Sequence, residues 1–208
     1  MEGSKSTANK TMDRREQILT ISLQLFAKHG YHKTKISDIV REAGVAQGTF
    51  YWYFKSKEVI ALEIIQNGQS HLLEVVAQGY RKMAGTVQDA VKSSEKLFED
   101  LFTFAEENHD LIRLLLKGVE TEASVHAVIN ETWLKIEKAF RNNIERAMDL
   151  EILPEKDASI ESAFLVSLIK GTLERWLFSP EHSTMTGKSA GELAHELVNF
   201  EFFGLLGI

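Results

Sequence analysis

Gln47, Thr49, Tyr51, Tyr53 and Lys57 fall within eleven residues, interrupted by Phe50 and Phe54. Their types suit a polyanion whose edges can be read. A glutamine amide offers a donor and an acceptor together, the complement of an adenine edge. Threonine and tyrosine hydroxyls suit phosphate oxygens, which fix position rather than sequence. Gly48, lacking a β-carbon, lets a helix backbone come close to a groove. Lys57 follows Ser56, where an ammonium and the free N–H groups of a helix start would together hold a phosphate.

These residues need elements to carry them. Ile18, Ile21, Leu25 and Phe26 recur at helical spacing and predict a first helix from Asp13 to about His29, with Gly30 as its stop. Ile36, Ile39, Val40 and Ala43 fall at i, i+3, i+4 and i+7 and predict a short second helix ended by Gly44. A third helix, opening near Ala46 or Gln47 and running to Phe54, buries Phe50 and Phe54 and turns Gln47, Gly48 and Tyr51 outward. Trp52 is ambiguous by its position. Two short helices joined by a tight glycine turn make a helix-turn-helix, whose second helix enters the major groove by its N-terminal end.

The run Ile39-Val40-Arg41-Glu42-Ala43-Gly44-Val45-Ala46-Gln47-Gly48-Thr49-Phe50-Tyr51-Trp52-Tyr53-Phe54-Lys55-Ser56-Lys57-Glu58 resembles the DNA-binding signature of the TetR (tetracycline-repressor) family. Ala27-Lys28-His29-Gly30-Tyr31 followed by Thr34 resembles that family's upstream pattern. The match covers roughly the first sixty residues, and many positions agree in order and spacing. The resemblance implies DNA contacts from Thr34, Lys35, Ser37, Ala46, Gln47, Gly48, Thr49, Tyr51, Tyr53 and Lys57. One position departs from the pattern. The residue before the second helix is commonly a small hydroxyl that caps it; Lys35 cannot accept a capping bond, so Thr34 is expected to serve instead. Lys33 and Lys35 would add phosphate attraction at the same edge.

Composition agrees with a helical regulator. The 208 residues hold no cysteine and only two prolines, Pro154 and Pro180. A disulfide framework or thiolate metal site is therefore excluded, and long helices before residue 154 are unobstructed. Residues 1–60 carry ten basic against six acidic side chains, a charge of +4, while the remainder carries −10 and brings the whole to −6. A basic head on an acidic body fits a head that approaches phosphate and a body that does not. Met1 to Thr11 are polar, and no apolar stretch suits a signal peptide or a bilayer span, so a soluble, cytoplasmic protein is expected.

The fold expected is all-α: a three-helix head over 1–57, joined by a long helix to a ligand-binding and dimerisation body over 58–208. That long helix is predicted from Ser56 to about Met83, roughly 40 Å at about 1.5 Å per residue. It would carry a change in the body to the spacing of the heads. Further helices are predicted over Thr86–Asn108, Asp110–Leu116, Ser124–Leu150, Asp157–Phe178 and Ser189 to about Leu206. The helix from Asp157 is apolar nearly all round, and the last helix presents Leu193, Leu197, Val198, Phe200, Phe202 and Phe203. Such breadth suggests burial against a second copy. The resemblance, looser here and resting on Lys170-Gly171-Thr172-Leu173-Glu174-Arg175-Trp176, implies a homodimer formed by the last two helices.

The same resemblance places a ligand chamber among the middle helices, where Leu97, Phe98, Leu101, Phe102, Phe104, Leu115, Trp133 and Phe140 read either as plain core or as the wall of an apolar or aromatic effector site. No individual ligand-contact residue is assigned. His71, His109, His126, His182 and His195 are scattered without zinc-helix spacing, so neither a metal nor a cofactor is expected. An enzyme lacks support: no phosphate-cradling glycine loop with its lysine, nucleophile elbow or His-Glu-x-x-His occurs. A protein-only adaptor fits the basic head poorly. The partners expected are double-stranded operator DNA, a small effector and a second copy of the chain, with no membrane.

Overall fold

The computed structural model describes residues 13–78, 86–118, 122–179, 181 and 184–204. These form nine helices and no strand: α1 (Arg14–His29), α2 (Ile36–Glu42), α3 (Gln47–Tyr53), α4 (Lys57–Ala77), α5 (Val87–Glu107), α6 (His109–Lys117), α7 (Ala123–Asp149), α8 (Ala158–Phe178) and α9 (Ala190–Phe203).

Local chemistry sets the boundaries. The Asp13 carboxylate accepts from the Arg15 N–H at the start of α1, and Gly30, at φ +86°, ends it. Gly44, at φ +61°, makes the turn between α2 and α3. Ser56 accepts from the Val59 N–H and opens α4. Thr86 with Asp89, and Ser189 with Glu192, form reciprocal capping boxes that open α5 and α9. The expected helix starts at Asp13, Ser56, Asp157 and Ser189 are each the capping residue of the observed helix. Helix α4 spans 21 residues, about 31 Å. The remainder of its expected run, 79–83, and the end of the last helix beyond 204 lie outside the described residues.

The capping of α2 corrects the sequence reading. Thr34 does not cap it. The Asp38 carboxylate accepts from the Lys35 N–H at 3.1 Å, so the helix is closed by an acid inside its first turn. That bond, helped by Arg41 at 3.0 Å, holds the Asp38 carboxyl below its ordinary value.

One apolar cluster runs from Ile18 in α1 to Val198 in α9, so head and body share a core. Helix α1 packs on α6, α4 on α7, α7 on α8, and α5 along α9. Phe98 stacks between Phe102 and Phe140, with ring centroids 6.4 and 6.0 Å away, and Trp176 meets Phe102 edge-on. These rings and Leu97, Leu101 and Leu115 are buried, while Phe104 and Trp133 are half-buried against them. The middle of the body is built as packed core.

Candidate nucleic-acid interface

Helix α3 is oriented by its own two phenylalanines. Phe50 is fully buried and Phe54 nearly so, with ring centroids 6.1 Å apart, and Arg15 lies over Phe54 while pairing with Glu63 at 2.6 Å. This pins α3 against α1 and α4. The face opposite Phe50 is left to solvent. Gln47 and Gly48 are exposed, Tyr51 is 50% exposed and Trp52 84%. Thr49 and Tyr53 sit on the flank, half-buried. Ala46, Lys35 and Ser37 are exposed at the starts of α3 and α2.

Trp52 is the residue that the sequence left open. One turn beyond Gly48 and on the far side of the helix from Phe50, it points straight out. That placement follows from 3.6-residue periodicity once Phe50 is taken as the buried reference.

Two expected contact residues are placed differently. Thr34 is 2% exposed, and its hydroxyl donates to the Gly30 carbonyl at 2.9 Å, with the Leu25 carbonyl at 3.2 Å. Its side chain is spent holding the turn after α1. The Lys57 ammonium also turns inward. It donates to the carbonyls of Tyr31 at 2.7 Å and Thr34 at 3.1 Å and lies 4.1 Å from the Tyr31 ring centroid. Burial pushes its pKa down, with Glu122 opposing that shift. Both residues therefore support the Tyr31–Lys35 loop from behind. The reason is geometric: the Tyr31 and Thr34 carbonyls of that turn need donors, which the Lys57 ammonium supplies, while the Thr34 hydroxyl ties the turn back to Gly30 and Leu25.

Around the same edge, Lys28, His29, Lys33 and Arg41 rim a polar cleft of about 560 Å³ between α1 and α2. Asp38 and Glu42 line the same cleft, so its rim is mixed in charge.

At the other end of the molecule, Ile160, Phe164 and Leu168 form an exposed apolar row on α8, beside exposed Phe200 and Phe203 of α9. The opposite side of α8, with Leu165, Val166, Ile169, Leu173 and Trp176, is buried within the chain. Among the described residues no helix is long and apolar enough to cross a membrane, and no three His, Asp or Glu side chains gather as a metal ligand set. His182 lies outside the described residues.

Residues 18–64 match the family model described as bacterial regulatory proteins, tetR family. The HTH-type transcriptional regulator AcrR of Shigella flexneri is 25% identical over 184 residues, covering 86% of this chain and 85% of the relative. Among solved structures, the fatty acid degradation regulator FadR from Bacillus halodurans aligns with a TM-score of 0.77 at 19% identity, covering 94% of this chain and 98% of that one. FadR from Bacillus subtilis, in complex with stearoyl-CoA, aligns with a TM-score of 0.74 at 19% identity, covering 91% and 98%. With the signature residues standing on the outward face of α3, residues 18–64 carry the DNA-binding domain of the tetR family of bacterial regulatory proteins, and the helical body follows the fold of the two FadR structures.

Proposed function

We propose that the chain is a cytoplasmic, ligand-responsive transcriptional repressor that binds a palindromic operator as a homodimer. The observation that carries this reading is the outward face of α3, where Gln47, Gly48, Tyr51 and Trp52 stand clear of a core fixed by Phe50. Gln47 reads a base edge. Gly48 allows close approach, and Thr49, Tyr51 and Tyr53 reach phosphates on either side. Lys35, Ser37 and Ala46 contact the backbone from the two helix starts. Thr34 and Lys57 shape the adjoining loop from within. Head and body divide near residue 57, where α4 begins.

The second copy sits on the α8–α9 face. Ile160, Phe164, Leu168, Phe200 and Phe203 form an apolar patch of the kind that a soluble chain covers by association. A two-fold pair places two copies of α3 in successive major grooves, about 34 Å apart. The effector is apolar in part. A neighbour of the same fold holds stearoyl-CoA, and the body of this chain is rich in aromatic and aliphatic side chains. Binding that favours a second arrangement of the heads lowers operator affinity by its differential free energy.

The test is binding of the purified protein to DNA from its own upstream region across a salt series, with Gln47→Ala and Tyr51→Phe alongside. Specific binding by a dimer that strengthens at low salt, falls about ten- to a hundredfold in Gln47→Ala and weakens in Tyr51→Phe is expected. Trp52 emission should change on complex formation. No DNA binding even at low salt would remove the regulator reading.

A further inference from the structure

We infer that the junction between head and body is a binding site for an anionic group, a phosphate or a carboxylate, held by Arg113 and Lys117 of α6. Helix α6 buries Leu111, Ile112, Leu114 and Leu115 and turns His109, Arg113 and Lys117, at i, i+4 and i+8, to another side. The Arg113 guanidinium lies 4.6 Å from the Phe178 ring centroid and the Lys117 ammonium 5.7 Å, while the His109 ring is 4.6 Å from it. The ring shields one side of both cations from water, which strengthens what they attract on the other.

That other side is a small cavity of about 120 Å³. Arg113, Lys117 and Gly118 line it from the body, and Phe26, Gly30 and Tyr31 from the head; among the described residues no carboxylate lines it. Among the described residues neither cation has a carboxylate in ion-pair range, whereas Arg15, Arg41, Lys96, Lys135 and Lys188 each have one. The acids whose fields reach Tyr31, Glu122 and Glu58, face Lys57 and the Ser124 hydroxyl. The volume suits one phosphate or carboxylate group rather than a whole effector. An anion there touches α1 and α6 together, so its occupancy favours one setting of the head on the body. The regulatory consequence rests on the repressor reading; the binding does not.

The test is calorimetric titration of the full chain, without DNA and at constant ionic strength, with inorganic pyrophosphate and separately with citrate. Arg113→Gln and Lys117→Gln should each weaken binding at least tenfold, with Lys138→Gln unchanged and Arg113→Lys recovering part of the loss. Thermal melts confirm that the variants fold. Preference for pyrophosphate or for citrate identifies the anion's source. Equal affinity in all variants, or none in the native protein, overturns the site, and because no DNA is present that failure leaves the repressor reading standing. An anion that binds without moving operator affinity overturns the coupling.

Discussion

Gln69 on α4 donates through Nε2 to Oγ1 of Thr132 on α7 at 2.9 Å, deep in the seam between the two helices. Lys135 donates to the other end of the same amide at 3.0 Å, and the Thr132 hydroxyl in turn donates a hydrogen bond to the Val128 carbonyl at 2.8 Å. Apolar packing along this seam is tolerant of sliding; a buried directional bond is not. The pair therefore sets the register of the helix that carries the head against the longest helix of the body.

Removing one partner should hurt more than removing both. Thr132→Val leaves the Gln69 amide buried without an acceptor, at a cost of about 1–3 kcal/mol. Adding Gln69→Leu should recover most of that loss. Urea denaturation of the two variants checks the pattern; equal losses in single and double variants would mean that the bond does not carry the effect.

Gly68, the preceding residue, faces α6. A β-carbon there would stand 2.4 Å from Leu111 Cδ2 and 2.7 Å from Cδ1. Leu111 is itself buried, so its side chain has little room to retreat. Gly68→Ala should therefore destabilise by about 1–2 kcal/mol, the overpacking outweighing alanine's helix preference of about 1 kcal/mol. Gly68→Ala with Leu111→Ala should lose the clash, leaving the cavity cost of the leucine. Thermal melts of the single variants and the pair separate these terms.

Phe164 is 64% exposed in the single chain, between Ile160 and Leu168. Phe164→Glu should weaken the proposed dimer at least tenfold in its equilibrium constant while leaving helix content intact. Sedimentation equilibrium is the measurement. A variant that remains dimeric at the same concentration would place the interface elsewhere.

Two titrations bracket the stability of the fold. The Asp38 and Glu192 carboxyls are held below their ordinary values, each first by the backbone N–H it caps, of Lys35 and Ser189 respectively. Their contribution is present above the unfolded carboxylate range near 4 and is lost as pH falls through the lower folded values. At the other end, the Tyr31 phenol is pushed up to about 12, by burial first and then by Glu122 and Glu58. A raised acid stabilises below its unfolded value of about 10, and that share is lost as pH rises toward 12. Melting temperature against pH should fall on both flanks. Asp38→Asn should flatten the acid flank, and Tyr31→Phe should remove a late step in the phenolate absorbance.

The head was legible because its signals are local. Asp13, Gly30, Gly44 and Ser56 punctuate short helices by caps and turns that need no tertiary information, and the Phe50–Phe54 spacing fixes which side of α3 faces out. The inward turn of Lys57 was not legible because its partners lie more than twenty residues away, and that of Thr34 because it depends on how the turn after α1 folds back. Nothing near Lys57 says that two carbonyls from the Tyr31–Thr34 turn will come within reach of its ammonium. The body was legible as helices and as a broad apolar surface, since periodicity reports both. Its polar seam at Gln69 and Thr132, 63 residues apart, has no periodic signature. The cationic side of α6 was equally invisible, as Arg113 acquires its meaning only when Phe178 and Tyr31 are brought to it.

The inward ammonium of Lys57 makes the loop before α2 a passenger of the connecting helix. Lys57 is the first residue of α4, while the carbonyls it holds belong to the turn that precedes α2. A tilt or roll of α4 of even an ångström must drag that turn with it or break both bonds. The linkage works like a crank pin: motion entering along α4 leaves through the turn, and α3, pinned to α4 through Phe54, Arg15 and Glu63, travels with it. Substitution at this lysine would therefore uncouple the turn from α4 without touching the outer face of α3.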